Sequence, residues 1–567
     1  MSKIKVCQNC KNNFPIEPDD FSFYEKMQVP PPTFCPECRL IRRMNNTNER
    51  VLYKRTCDLT GKNIISMFPH NTLFPVYGVD DWYADAWDPA SYGMEYDFSK
   101  SFFQQFLELQ NKVPRMSLVR QGNSINSEYC HRIDSPKNCY MAFRSTRSEE
   151  SAYIYVSIDI RDCVDCSFIS TSELCYECVN VEGSYHLTFS QESVNCRDSS
   201  FLYGCHNCSN CVGCVNLRNR EYCILNEQYS KKEYLEKVKE LNLDTYSGIE
   251  DMKKSFFKFR KQFPQKAVVS LKSNNVSGNW FTNSQNVQNS FFSINVKDSK
   301  NIWAVFDSQD CQDYFQWGNK AELVYESENC GINVSRLFSC SQCWMGAHDL
   351  MYCDSCPGAS NCFGCIGLKK GEYSILNKKY SKEEYFEMIE KIKKHMVDMP
   401  YMGTSERTYS YGEHFPFEIS PFAYNETAAI DFFPITKEEA ITKGYVWKDK
   451  EKTQYAVSKN YFDLPETIAE VPDFILNEII SCAESDKEYS PSAFKITEQE
   501  LLFYRKMNIP LPRASYPVRY MNRLNQRPPL RIINRNCSKC NIEVQTIYTK
   551  DLAPILYCES CYQQEVI

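Results

Sequence analysis

The chain is predicted to be mainly β: a duplicated, β-helix-like solenoid flanked by small Cys-rich ribbon modules at both termini, with short capping helices. Three observations predict it. Cys-x-x-Cys pairs stand at both ends, at Cys7/Cys10 with Cys35/Cys38 and at Cys537/Cys540 with Cys558/Cys561. Residues 494–519 repeat 14–39 at an offset of 480: Phe14, Phe23, Tyr24, Lys26, Met27, Pro30, Pro32 and Arg39 recur, while Cys35 gives way to Ser515 and Cys38 to Val518. Within the chain, NCVGCVNLRNREYCILNEQYSKKEY at 210–234 returns as NCFGCIGLKKGEYSILNKKYSKEEY at 361–385, an offset of 151.

The terminal repeat extends further at the same offset, pairing Arg43 with Arg523, Arg55 with Arg535, Cys57 with Cys537, Tyr77 with Tyr557, Gly78 with Cys558 and Asp81 with Cys561. The unit behind both ends is therefore two ribbons in series, and each end keeps one four-Cys set and has lost the other. What recurs is aromatic and proline framework, the residues that set a shape. In the middle, RDCVDCSF (161–168) matches QDCQDYFQ (309–316), and SELCYEC (172–178) matches AELVYES (321–327), giving two homologous halves at about 123–240 and 274–395. Short segments opening on Asn, Asp, Ser or Glu recur every 9 to 14 residues within them, which is the punctuation of stacked coils. Ser230 with Glu233 and Ser381 with Glu384 start a capping helix behind each half. A helical stripe of Phe102, Phe103, Phe106, Leu109 and Val113 follows an expected Ser99 cap, and a short helix is expected over 436–444.

The resulting divisions are 1–48, a first ribbon; 49–122, a degenerate second ribbon with an aromatic connector; 123–245, the first solenoid half; 246–273, a linker; 274–398, the second half; 399–481, a mixed linker domain; 482–536, a metal-free basic copy of the first ribbon; and 537–567, a last ribbon. The 567 residues are enough for several units, each with a core of its own. Thirty Cys arranged largely as Cys-x-x-Cys pairs, behind a start with no apolar leader, point to a reducing, cytoplasmic setting. No membrane partner is expected, because no long apolar run occurs.

Paired thiolates two residues apart grip one side of a tetrahedral zinc ion, and a second pair closes the shell. Cys7, Cys10, Cys35 and Cys38 form one such set, and Cys537, Cys540, Cys558 and Cys561 the other, so two structural zinc ions per chain are expected. Cys57, facing Thr60, Gly78 and Asp81, reads as a relic. Cys205, Cys208, Cys211 and Cys214 admit three readings: buried apolar fillers, a further zinc site or an iron–sulfur cluster. Catalytic patterns are scarce: the seven His form no metalloprotease motif, and no Gly-rich phosphate loop occurs. Asp162, Asp165, Asp310 and Asp313 recur between halves, as turn residues or as the carboxylates of a polysaccharide-acting β-helix enzyme. A basic row is sharper: Arg505, Lys506, Arg513, Arg519, Arg523, Arg527, Arg531, Arg535 and Lys539 fall between 501 and 541 with no acidic residue, and Arg42 and Arg43 answer them at the N-terminus. Such clusters beside a ribbon suit phosphate, with Tyr504, Tyr516 and Tyr520 placed to stack on bases. They also suit docking on an acidic solenoid face, in a chain of net charge -7.

The opening Cys-x-x-Cys, Phe14, Phe23-Tyr24, Pro32 and Cys35-Pro36-Glu37-Cys38-Arg39 resemble the zinc-ribbon domain of many small bacterial proteins. With CDLTGKNIIS, FYRKMNIPLPR and YCESCYQQEV, the whole plan is similar to a family of large uncharacterised bacterial zinc-ribbon proteins. The resemblance implies zinc and implies no particular activity. Taken together, a non-enzymatic zinc-binding scaffold is expected, binding RNA or a ribonucleoprotein through its basic ends; a protein-interaction scaffold using the solenoid face, or the β-helix enzyme, are the alternatives.

Overall fold

A computed structural model describes residues 2–318, 325–326, 346, 348–450 and 455–566. Most of the match proposed at 321–327 lies outside them. In chain order the helices are α1 (Pro18–Met27) and α2 (Pro36–Asn45) in the first ribbon, α3 (Val79–Tyr83) closing the second, and α4 (Phe102–Gln110). Behind the first solenoid half come α5 (Lys231–Glu240) and α6 (Tyr246–Arg260), and behind the second α7 (Lys382–Asp398). The linker carries α8 (Ala428–Phe432) and α9 (Lys437–Thr442), and the C-terminal module α10 (Glu498–Met507), α11 (Tyr516–Leu524) and α12 (Glu559–Val566).

The solenoid is built on a triplet. From Asp162 to Ile224 the sequence reads DCV DCS FIS TSE LCY ECV NVE GSY HLT FSQ ESV NCR DSS FLY GCH NCS NCV GCV NLR NRE YCI, and the first residue of nearly every triplet has φ near +50°. That left-handed corner is tolerated by Gly and, through local hydrogen bonding, by Asn and Asp. The second residue points inward, and it is Cys, Ser, Ile, Val or Leu. Four triplets close one coil, so parallel pairing steps by twelve residues, Ile125 to Lys137 to Glu149 to Arg161 to Glu173 to Tyr185 to Arg197 to Ser209 to Glu221. The second half opens on steps of eleven, Asn274 pairing with Gln285, shifts register between Val276 and Gly278, and then follows the same rule, Phe291 pairing with Trp303 and Ser360 with Glu372.

Only four side chains share the interior of each coil, so they are small. Inward serines are satisfied by the backbone: Ser190 Oγ donates to the Thr188 carbonyl and accepts the Leu202 N–H of the next coil, at 2.9 and 3.1 Å. Inward cysteines occupy the same positions as weak donors, Cys214 to the Val212 and Cys223 carbonyls at 3.4 and 3.6 Å. At Ser190 and Cys214 neither arrangement orphans a buried polar group, which is why Ser and Cys interchange down a column.

Corner chemistry reports what covers each face. Polar corners stack into ladders on the open side, Asn126 to Asn138 to Glu150 and Asn283 to Asn295 to Asp307. Aromatic corners sit under other elements, Phe201 against Phe256 of α6 and Tyr153 stacked on Tyr516 of α11. The capping boxes at Ser230/Glu233, Ser381/Glu384 and Thr436/Glu439 form as expected. The stripe of α4 is buried as expected, but Ser101 rather than Ser99 precedes the helix, because the Ser99 hydroxyl turns to Asp97 instead.

The ends cross. The N-terminal module packs on the second solenoid half and the C-terminal module on the first, and the strands Arg115–Met116 and Gln265–Lys266 complete the crossing by pairing with Val76–Tyr77 and Leu556–Tyr557. No helix of the described residues is long and apolar enough to cross a membrane.

Candidate metal centres and the buried arginine interface

Two sets of thiols converge, Cys7/Cys10/Cys35/Cys38 and Cys537/Cys540/Cys558/Cys561, the sulfurs of each set lying within 4.8 Å of one another. Each first pair sits on a tight knuckle after a short strand, and each second pair opens a helix, α2 or α12. Cys10 and Cys35 sulfurs are 3.7 Å apart, and so are those of Cys540 and Cys558. A metal about 2.3 Å from each of four sulfurs makes a tetrahedron with edges of about 3.8 Å, so both sets fit one ion with its shell closed by protein. Burial opposes thiolate formation at Cys537, but the N–H groups of Cys540, Cys558 and Lys539 pull its thiol down to about 6. Cys7 is pulled lower still by hydrogen bonds from Cys35 and Cys38. Each set therefore holds a ready anionic ligand.

The two lost sites explain how a ribbon survives without metal. In all four ribbons one sulfur accepts the same backbone N–H at 3.3 Å: Cys7 from Cys35, Cys57 from Gly78, Cys482 from Ser515, and Cys537 from Cys558. Around Cys57 the Asp81 carboxylate accepts from the thiol and from Thr60, at 3.2 and 3.1 Å. Cys57 is thus more than a relic, since its sulfur still closes the turn. Around Cys482 the hydroxyls of Ser490 and Ser515 and the buried Val518 fill the space.

Cys205, Cys208, Cys211 and Cys214 lie in the solenoid interior, each donating to a carbonyl two residues back, at 3.2 to 3.7 Å. They point to different corners of the coil, and among the described residues they form no converging four-sulfur group. Their placement is that of the fillers.

The basic row is placed against the expectation that it faces nucleic acid. Arg519 donates to Asp165 at 2.8 Å and Arg523 to Asp165 and Glu177 at 2.9 and 3.0 Å, and both arginines are buried. At the other end Arg39 and Arg43 meet Asp313 at 2.8 and 3.5 Å, while Arg42 is held by Glu326 and Glu413 at 2.6 and 2.9 Å. The two networks are one pattern used twice: Arg519 and Arg523 repeat Arg39 and Arg43, and Asp165 and Glu177 repeat Asp313 and Glu326. Burial opposes the charge of Arg519, yet the adjoining Asp165 outweighs it and holds the guanidinium above its ordinary value. Arg527 has no such partner; it lies over Phe168, Phe292 and Trp280, and burial lowers it to about 10.

The remaining members are engaged as well. Arg505 pairs with Asp473, Lys506 with Asp162, Arg531 with Glu37 and Lys539 with Glu565, and Arg535 donates to the carbonyls of Tyr548, Thr549 and Ala553. Arg513 donates to the Pro465 carbonyl. For Arg42, Arg43, Arg519 and Arg523 the expectation of phosphate contact is corrected, because buried solenoid carboxylates take them and they hold the ends to the solenoid. Lys506 also reaches the solenoid at Asp162, Arg527 lies over its aromatic rings, and Arg505, Arg513, Arg531 and Arg535 make their contacts in the linker and the ribbons. Asp165 and Asp313, open between turn and catalytic roles, are corner residues whose carboxylates are neutralised by arginine. Compared with known proteins, no family model matches this chain and no curated sequence is similar to it.

Proposed function

We propose that this protein is a non-enzymatic, zinc-stabilised scaffold that binds a protein partner on the open face of its solenoid. The observation that carries this reading is the division of faces. Each half turns one pair of acidic corners to a terminal module, Asp165 and Glu177 or Asp313 and Glu326, while the polar ladder, Arg147, Asp159, Thr171, Gly183, Asn195, Asn207 and Asn219 in the first half, stays exposed. Such a ladder offers a donor or acceptor at each coil, with apolar Ile158 and Tyr185 beside it. Repeat proteins use long regular surfaces of this kind for binding. Zinc is the metal that suits closed four-thiolate shells in a chain whose ends resemble zinc ribbons. Of the arginines behind the nucleic-acid reading, Arg42, Arg43, Arg519 and Arg523 are taken by buried solenoid carboxylates.

The test is purification from native cells with and without nuclease, for the parent and for Thr171→Arg/Asn195→Arg. Partners that survive nuclease and are lost in the variant support the scaffold. Partners released by nuclease restore the ribonucleoprotein reading, and partners unaffected by the variant place binding elsewhere.

A further inference from the structure

The crossed repeat allows the two halves to be compared position by position, and one position differs. Against the second half, the segment Thr408–Phe417 (TYSYGEHFPF) runs through a groove between α4, the N-terminal module and the solenoid. Tyr409 stacks on Phe34, ring centroids 5.6 Å apart, and also meets Phe103. The Gly412 N–H donates to the Tyr352 hydroxyl at 3.1 Å, and a Cβ at Gly412 would stand 2.8 Å from Pro30. Glu413 accepts from Thr33 N–H and hydroxyl, at 2.8 and 2.6 Å, and from Arg42. Phe415 packs on Phe106 and Tyr352, at 5.0 and 6.0 Å.

Each wall of that groove has a counterpart on the first half. Pro30, Thr33, Phe34 and Arg42 become Pro510, Arg513, Ala514 and Asn522 at the 480 offset, and Tyr352 becomes Phe201 at the 151 offset. Aligning Pro114 with Pro264, as the two crossing strands require, turns Phe103 and Phe106 into Lys253 and Phe256. All seven counterparts line one open cleft of about 600 Å3. The cleft is open for two reasons. The chain leaving α5 turns into α6 within five residues, whereas the chain leaving α7 runs on to fill the equivalent groove. Ala514 and Asn522 are also smaller than Phe34 and Arg42, so more space is left.

The cleft's charge fits the same kind of occupant. Lys253, Lys254, Arg260 and Arg513 line it; of its acidic residues Glu177 is paired with Arg523, Glu250 with Lys253, and Glu484 accepts from Asn522, while Arg513 meets only the half-exposed Glu466, at 3.7 Å, among the described carboxylates. Arg513 stands where Thr33 receives Glu413. Its side chain is about nine-tenths buried, and its Nη1 atom is buried with no hydrogen-bond partner among the described residues. An anionic group at the Glu413 position would supply one.

We infer that this cleft binds an extended segment of a partner protein with an aromatic residue, a glycine, an acidic residue and a second aromatic spaced as in Tyr409, Gly412, Glu413 and Phe415. The inference rests on the scaffold reading and gives it a second, sequence-selective site. Recognition is that of an extended peptide in a preformed groove, with the acidic residue fixing register against Arg513.

The probe is a fluorescein-labelled peptide of residues 408–417 added to the full chain, followed by anisotropy. Saturable binding is expected, weakened about tenfold or more by Arg513→Glu, by Ala514→Trp, which fills the cleft, and by Glu413→Lys made in the peptide alone. The last change leaves the protein untouched and keeps the test decisive if a cleft variant folds poorly. Absence of binding at millimolar peptide, or binding indifferent to all three changes, overturns the inference. Peptide binding that persists while no nuclease-resistant partner is recovered would remove the open-face reading and leave the cleft; retained partners without peptide binding would do the reverse.

Discussion

The two ends of the molecule solve one problem in different ways. At the N-terminus the first ribbon keeps its four thiols and the second has Asp81 in their place; at the C-terminus the first ribbon is packed with Ser490, Ser515 and Val518, and the second keeps the thiols. Two of the arginines that enter the solenoid are the same at both ends, Arg39 and Arg43 recurring as Arg519 and Arg523. The comparison teaches that docking geometry is the constant of this architecture and metal only one way to hold a ribbon in shape. Three buried side chains around one sulfur, Ser490, Ser515 and Val518 around Cys482, can replace an ion.

Removing metal should break the comparison most severely. Structural zinc supplies apparent binding energies of about 10–16 kcal/mol in small domains, so chelation should unfold Cys7–Cys38 and Cys537–Cys561 while the Cys57 and Cys482 ribbons and the solenoid persist. Elemental analysis should give two zinc and no iron, one zinc after Cys38→Ser or Cys561→Ser, and two still after Cys211→Ser. Protection of the Cys57 ribbon from proteolysis in chelator is the check; its loss together with the others would mean metal and docking are not separable.

Next come the arginines. Arg523→Ala leaves Glu177 without its cation and Asp165 with Arg519 alone, and Arg42→Ala strips Glu326 and Glu413 of their cation, so each should cost about 3–5 kcal/mol. Asn522→Ala, at the position matching Arg42, should cost less than about 1 kcal/mol, because its bond to Glu484 is exposed. Denaturant midpoints of the three variants decide it. Equal effects at 42 and 522 would dissolve the asymmetry on which the open cleft depends.

A smaller difference responds to acid. His131 is buried, accepts the Val119 N–H on Nδ1 and donates from Nε2 to the Asn48 carbonyl, joining the first half to the N-terminal module. Burial, with Arg132 nearby, holds it well below its ordinary value of 6.5. A depressed histidine stabilises the fold fully above pH 6.5 and loses that contribution as pH falls, by about 1.4 kcal/mol per pH unit. His131→Gln preserves both hydrogen bonds but does not titrate, so the stability gap between parent and variant should narrow by that amount between pH 6.5 and 5.5. A constant gap would contradict the assignment.

The least effect is expected inside the coils. Cys175→Ser places a hydroxyl where Ser190 already sits in its own column, with a carbonyl behind it and the Leu187 N–H above, and should cost under about 1 kcal/mol without changing metal content. A loss above about 3 kcal/mol would show that sulfur, rather than size, is required there.

Much of this was legible before any coordinates. Thiol spacing located both metal sets, and the 480 and 151 offsets located the duplications, because ligand sets and repeats are local or self-referential. The coil itself was read too loosely, as 9 to 14 residues, although the triplets DCV DCS FIS TSE were on the page. Strand reading looks for alternation at period two, and a left-handed corner at every third residue hides that alternation. Cys482 escaped because it precedes Lys487, the position opposite Cys7, by five residues, its knuckle being longer. The arginine row misled for a different reason. Charge is visible locally, but the Glu177 that receives Arg523 is 346 residues away, and nothing in the row itself distinguishes a surface from an interface.

The triplet also makes the solenoid a counting device. A deletion of twelve residues removes one coil and leaves every later side chain above its old column. A deletion of three removes one side and turns everything downstream by a quarter of a revolution. Had two triplets, half a revolution, been lost before Asp165, the acidic corner would face the open side, the asparagine ladder would lie under the arginines, and no single substitution could repair both. Where the steps are twelve, the outward meaning of a residue is set by its place in that count, and a shorter step, such as the eleven from Asn274 to Gln285, is absorbed by the register shift between Val276 and Gly278.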